Sequence, residues 1–180
     1  MTDTQETAII SDILSGNQEQ YRFIVERYHR GLIVHLYNLT HDEQLAEDIA
    51  QEAFIKAHDK LAQYNSAYAF STWLYKIADN LAYRQLKQNR HSVDIDSIEA
   101  VLPDNKPSLP EMADKALAKD RLNHAIQALP VSYKQVVILY YWDNFSYEEI
   151  AEIVERPIGT IRTCLYRAKE QLRKDLYGRV

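Results

Sequence analysis

The chain has 180 residues, with 21 lysines and arginines against 26 aspartates and glutamates, a formal net charge of −5. Hydrophobic content of 46% provides for a folded core, and 4 glycines, 5 prolines and no sustained alternation argue against strands, so the expected fold is all-α, as one ordinary domain or two small ones. No apolar run is long enough to cross a membrane, and the polar start Met1 to Glu6 does not read as a signal peptide. The single cysteine, Cys164, excludes an internal disulfide, fits a reducing cytoplasm and reads as a small core residue.

In chain order, a first helix is predicted over Thr4 to Leu14, ending at Gly16. A second runs from Gln18 to Asn38, with Tyr21, Ile24, Val25, Tyr28, Leu32 and Leu36 facing inward. Thr40 and Glu43 have the spacing of a capping box and open a third helix through Leu61, whose apolar side is Ala46, Ile49, Ala50, Ala53, Ala57 and Leu61. Residues 63–69 read as a loop, and a fourth helix from Phe70 to Asn89 buries Trp73, Leu74, Ile77, Ala78 and Leu81. From His91 to Pro110 the helical period is lost and Pro103, Pro107 and Pro110 appear, the mark of a linker. Helices resume over Glu111 to Ala128 and from Pro130 through Trp142, with Val136, Val137 and Leu139 packed beneath the segment that begins at Phe145.

That segment, Phe145 to Arg167, is the most informative run in the chain. Ser146 and Glu149 form a capping box, so a helix begins there, with Ile150, Ala151 and Val154 as its apolar side. Pro157 suits the first turn of another helix. Ile158, Ile161, Leu165, Ala168, Leu172 and Leu176 then recur every three or four residues as one buried stripe. On or beside the opposite face lie Arg156, Thr160, Arg162, Thr163, Tyr166, Arg167 and Lys174, side chains suited to phosphates and base edges in a major groove. This is a helix-turn-helix with a basic outer face, and DNA binding is the expected function. An ordinary two-helix corner with a solvated charged face is the blander reading. In the turn, Glu155 stands where such motifs often carry a left-handed glycine, which predicts local strain.

Charge is divided unevenly. Val154 to Val180 holds seven basic and three acidic residues, a net +4, which leaves −9 for the rest. A basic end on an acidic body implies partners of opposite character, one of them nucleic acid. The third helix carries Asp42, Glu43, Glu47, Asp48 and Glu52, either a solvated face or a docking face for a basic partner. Tyr64, Tyr68, Phe70, Trp73 and Tyr75 crowd around a loop, and Lys76, Arg84, Lys87 and Arg90 follow on the next helix. Single-stranded nucleic acid needs such rings beside such cations, although core packing accounts equally for Trp73. The six histidines are scattered, and no Gly-rich phosphate loop, catalytic triad or Cys/His cluster is present, so no cofactor, metal or enzymatic activity is expected.

With both halves laid out, the chain resembles a bacterial RNA polymerase sigma factor of the extracytoplasmic-function branch of the sigma-70 family. In the first half the similar strings are Ala46-Glu47-Asp48-Ile49-Ala50-Gln51-Glu52-Ala53-Phe54 and Phe70-Ser71-Thr72-Trp73-Leu74-Tyr75-Lys76-Ile77-Ala78-Asp79-Asn80. In the second they are Leu129-Pro130, Ser146-Tyr147-Glu148-Glu149-Ile150-Ala151, Gly159-Thr160-Ile161-Arg162 and Arg167-Ala168.

The resemblance implies two small helical domains joined by a flexible linker. Residues 1–91 would bind polymerase and recognise and melt the −10 element, 92–111 would be an acidic, proline-containing linker, and 112–180 would bind the −35 element through the helix-turn-helix. It assigns Glu47, Asp48, Gln51 and Glu52 to contact with core RNA polymerase. Tyr64, Asn65, Ser66, Phe70, Trp73, Lys76, Asn80 and Arg84 would read and hold open the −10 element, with Asn80 near a flipped base. Arg156, Thr160, Arg162, Thr163, Tyr166 and Arg167 would engage −35 duplex DNA. No side chain at Arg156 caps the recognition helix, which leaves its first N–H groups for a DNA phosphate. Such a protein is a cytoplasmic monomer, uses no cofactor, does not insert in membranes and is usually restrained by an anti-sigma factor. The alternative is a stand-alone helix-turn-helix regulator with a helical sensor domain, and a third reading is an interaction protein that sequesters a basic partner through its acidic half. The aromatic-basic stretch counts against both.

Overall fold

The computed structural model describes residues 3–88 and 115–178, and every element among them is helical. The predicted linker at 92–111 lies outside the described residues. The first half comprises α1 (Asp3–Leu14), α2 (Tyr21–Thr40), α3 (Glu43–Asp59) and α4 (Phe70–Gln88), with short 3-10 turns at Gln18–Gln20 and Leu61–Gln63. The second half comprises α5 (Lys115–Ala128), α6 (Val131–Tyr141), α7 (Tyr147–Ile153) and α8 (Ile158–Tyr177).

The apolar stripes turn to the core as the spacing predicts, with Tyr21, Val25, Tyr28, Trp73 and Ile77 only partly buried at its margin. Ile24, Leu32 and Leu36 of α2 meet Ala46, Ile49, Ala50, Ala53 and Ala57 of α3, and Leu74, Ala78 and Leu81 of α4 close the layer. Ends are set locally. Gly16 follows α1 with φ +109, and His41 ends α2 in the left-handed region at φ +59. The expected Thr40–Glu43 capping box does not form. Asp42 caps α3, its carboxylate accepting from the Leu45 N–H at 3.0 Å, while Thr40 is the last residue of α2 and donates its hydroxyl to the Leu36 carbonyl. Asp outcompetes Thr at such a position because its oxygen is charged and needs no rotor choice.

The two halves pack against each other around a polar centre. His35 of α2 is fully buried, its Nε2 3.0 Å from Asp79 Oδ1 of α4 and its Nδ1 2.7 Å from Asp143 Oδ2 between α6 and α7. Burial opposes charge on this imidazole, but the two carboxylates prevail and push its pKa up to about 10. Lys134 of α6, 1% exposed, donates to the Leu39 carbonyl at 3.2 Å and to Gln127 Oε1 at 2.8 Å, and Gln127 Nε2 donates to the Asn38 carbonyl at 2.9 Å. These donors from the second half satisfy carbonyls at the C-terminal end of α2, which the helix itself leaves open. Apolar contact completes the junction, with the Tyr75 ring meeting Phe145 edge-on at 5.0 Å. Gly31 of α2 lies behind Tyr75, where an added Cβ would stand 3.3 Å from the Tyr75 hydroxyl.

Candidate nucleic-acid interface

The helix-turn-helix forms from the predicted signals. The Ser146 hydroxyl accepts from the Glu149 N–H at 3.2 Å, and the Glu149 carboxylate accepts from the Ser146 N–H at 2.8 Å, a complete capping box at the start of α7. Glu155 takes φ +54, the left-handed turn that the sequence pattern anticipates without its usual glycine. Pro157 is the N-cap of α8 rather than its first helical residue, with no side-chain capping bond there, so the uncapped start belongs to Pro157 and not to Arg156.

Along α8, Ile161, Leu165, Ala168 and Leu172 are buried and Ile158 and Leu176 partly so, which aims the remaining faces outward. Arg156, Arg162 and Tyr166 are exposed, and Thr160 and Arg167 are half-buried at the edge. The Arg162 guanidinium lies 6.0 Å from the Tyr147 ring centroid, which braces it against α7. Thr163 corrects the expectation of an outward position. It is 5% exposed and its hydroxyl donates to the Gly159 carbonyl one turn back at 2.9 Å. Cys164 is buried, as expected, and burial pushes its thiol pKa up against the opposing pull of Arg167 and Arg156.

Around the loop before α4, the structure sorts the aromatics that the sequence left undivided. Phe70 is wholly buried, enclosed by Tyr28, Tyr64 and Trp73 with ring centroids 5.6, 5.2 and 5.5 Å away, so it is a core residue and not a ring open to bases. Tyr64 and Trp73 are half-buried, 5.4 Å apart. The Tyr64 hydroxyl donates to the Tyr68 carbonyl at 2.6 Å and the Asn65 side chain accepts from the Ala67 N–H at 3.0 Å, which shapes the loop. Asn65, Ser66 and Tyr68 are exposed. On α4, Arg84 is exposed, while Lys76 and Asn80 are half-buried and face the second half. Lys76 Nζ lies 3.0 Å from Glu152 Oε1 and 3.1 Å from Glu155 Oε1, and Asn80 Nδ2 donates to Glu155 Oε2 at 3.5 Å.

On α3, Glu47, Asp48, Gln51 and Glu52 are all exposed. Asp48 accepts from Gln44 at 3.0 Å, and Glu52 pairs with Lys56 at 2.6 Å. Ile55 shares the face of Asp48, Gln51 and Glu52 at helical spacing and is 62% exposed, an apolar contact point that the charge pattern of the helix does not reveal. No group of three or more metal-ligating side chains stands together among the described residues, and no described helix is long and apolar enough to cross a membrane.

Comparison with known proteins agrees with this geometry. Residues 24–92 match Sigma-70 region 2, and residues 119–172 match Sigma-70, region 4. The chain is 34% identical to the ECF RNA polymerase sigma factor SigW of Bacillus subtilis over 93% of this chain and 94% of that one. It is 31% identical to the RNA polymerase sigma-H factor of Pseudomonas aeruginosa, over 98% of this chain and 96% of that one. Among solved structures it is similar to the sigma factor RpoE of Bartonella quintana in complex with the anti-sigma factor NepR, at a TM-score of 0.64 and 26% identity over 88% of this chain and 97% of that one. CnrH in complex with the cytosolic domain of CnrY shares the fold, with a TM-score of 0.67 and 20% identity over 92% of each chain. The chain belongs to the extracytoplasmic-function branch of the sigma-70 family and is a sigma factor that directs transcription initiation.

Proposed function

We propose that three separate faces divide the work of initiation. The acidic face of α3, with Glu47, Asp48, Gln51 and Glu52 around exposed Ile55, docks on core RNA polymerase. The loop 64–69 and α4 hold the melted −10 strand, with Tyr64 and Trp73 as stacking surfaces, Asn65 and Ser66 at the loop and Lys76, Asn80 and Arg84 along the backbone track. The outer face of α8 enters the −35 major groove through Arg156, Thr160, Arg162, Tyr166 and Arg167. The reading rests above all on α8, where the buried stripe leaves arginines and a tyrosine as the outward surface.

On this reading the protein makes and breaks no bonds of its own. It works as a monomer in the cytoplasm and lends promoter choice to the polymerase. The halves 1–91 and 112–180 are tied by 92–111, so each DNA contact raises the effective concentration of the other once polymerase fixes their spacing. The Bartonella relative is bound to an anti-sigma factor, and a partner of that kind is proposed here too.

Arg162→Ala and Arg167→Ala are each expected to weaken −35 duplex binding by about 1–3 kcal/mol and to relax specificity at one position. Footprints of the holoenzyme on −35 variants test this, and unchanged footprints in both variants would discard the docking orientation. Glu47→Lys with Asp48→Lys is expected to weaken core polymerase binding while leaving the thermal unfolding midpoint nearly unchanged, because exposed helix charges contribute little to stability. Titration of labelled protein with core polymerase decides it, and equal affinity would return α3 to a solvated face.

A further inference from the structure

Three tyrosines stand in a row beside the recognition helix. Tyr140 and Tyr141 close α6, and Tyr147 opens α7. The turn between them is tight, with Asn144 at φ +58 and the Phe145 N–H donating to the Leu139 carbonyl at 3.0 Å. It folds Tyr147 back onto Tyr140, with ring centroids 5.1 Å apart and planes 34° from parallel, and Tyr140 meets Tyr141 edge-on at 4.9 Å. Each end of the row carries a cation of α8. The Arg162 guanidinium stands 6.0 Å from the Tyr147 centroid, and Lys169 Nζ stands 5.7 Å from that of Tyr141. Seven residues turn an α-helix almost twice around, so both cations project along one line of α8, about 10 Å apart.

Two further observations separate this row from ordinary packing. All three rings are only half-buried at the margin of the core, and Tyr140 and Tyr141 line an open depression beside Asn144, Ser146 and Glu149. The cations at its ends pair with no carboxylate among the described residues, whereas Arg173 on the same helix has Glu170 at 3.8 Å. A ring face steadies a long cationic side chain without neutralising it, which a carboxylate would do. Ordering that side chain before DNA arrives removes part of the entropy cost of binding.

We propose that Tyr140 is a positioning residue for −35 recognition. It touches no DNA itself and ties Tyr147 to Tyr141, so that Arg162 and Lys169 are held in register, one for a base edge and the other for a backbone phosphate. This rests on the reading that the outer face of α8 enters the −35 groove. Arg167 lies outside the row and serves as the internal control.

The test uses holoenzyme reconstituted from the full chain and core RNA polymerase, with a library of duplexes randomised at the −35 element. Arg162→Ala and Arg167→Ala first identify the base position that each arginine reads. Tyr140→Leu, which keeps bulk but removes the ring, is expected to weaken binding about threefold to tenfold and to flatten base preference at the Arg162 position only. Tyr140→Phe keeps the ring and is expected to behave as the parent. Tyr141→Leu releases Lys169 alone, so it is expected to weaken all sequences alike and to make the salt dependence shallower. With Arg162→Ala and Lys169→Ala already in place, Tyr140→Leu is expected to add no further loss. If Tyr140→Leu or Tyr141→Leu binds as the parent, or Tyr140→Phe shares the Tyr140→Leu defect, the row positions nothing and the inference fails alone. It fails alone also if the Tyr140→Leu loss extends to the Arg167 position or persists without the two cations, since the ring is then only packing. If Arg162→Ala alters no base position, the docking of α8 fails and the inference fails with it.

Discussion

Truncating Phe70 to alanine is expected to lower the unfolding free energy by about 3–5 kcal/mol, the usual cost of removing a fully buried aromatic ring. The ring is 0% exposed and touches Tyr28, Tyr64 and Trp73, rings that come from α2, the loop and α4 itself. Its loss opens a cavity under the loop that carries Asn65 and Ser66, so promoter opening suffers through disorder of the loop. A pre-melted template is therefore not expected to rescue transcription by Phe70→Ala. Tyr68→Ala, at a ring 55% exposed, is expected to leave stability nearly unchanged. Denaturant unfolding of the two variants, beside transcription from duplex and pre-melted templates, gives the comparison. Full rescue of a stably folded Phe70→Ala protein would show instead that the ring serves the strand directly.

His35→Ala is expected to be comparably damaging, at about 3–5 kcal/mol, because it strips the shared partner from two carboxylates in a buried setting. Asp79 is 1% exposed, and its Oδ2 already has no hydrogen-bond partner among the described residues, so nothing stands ready to replace the imidazole. The same cluster sets a pH dependence. The folded-state pKa of His35 lies above its ordinary 6.5, near 10, so the stabilisation is fully present below about 6.5 and is lost as pH rises through about 10. Tyr75 packs against the imidazole with ring centroids 5.0 Å apart, and its phenol is pushed upward by burial first and by Asp143 and Asp79 next, so it stays neutral across this window. The thermal midpoint of the parent is expected to fall between pH 6.5 and 10 more steeply than that of His35→Gln. Parallel slopes would mean that the imidazole is not charged in the folded protein.

Local signals were legible in the sequence and contacts between distant segments were not. The Ser146–Glu149 capping box, the left-handed turn at Glu155 and the α8 stripe depend on residues within one or two turns, so spacing alone conveys them. Where two local partners compete, spacing misleads. Thr40 and Asp42 both precede α3, and Thr40 is drawn back onto the Leu36 carbonyl. Thr163 obeys the same rule, since a threonine on a helix can satisfy its hydroxyl on the carbonyl four residues earlier and turn inward. Phe70 begins its helix beside half-exposed rings, and only the arrival of Tyr28 from α2 makes it core. The histidine cluster was invisible for a stronger reason. Asp79 and Asp143 lie 44 and 108 residues from His35, so no periodicity links them.

Gly31 acts mechanically. It has no side chain where α2 passes Tyr75, and Tyr75 in turn presses its ring on Phe145 across the junction. Position 31 is thus the near end of a three-residue pushrod from one half to the other. A methyl group there, 3.3 Å from the tyrosine hydroxyl, would have to be accommodated by the ring, and the ring is backed on its far side by the other half of the protein. A side chain on α2 here would oblige that ring to give by a few tenths of an ångström, and because the ring also packs on His35, the displacement would reach the charged cluster that joins the halves.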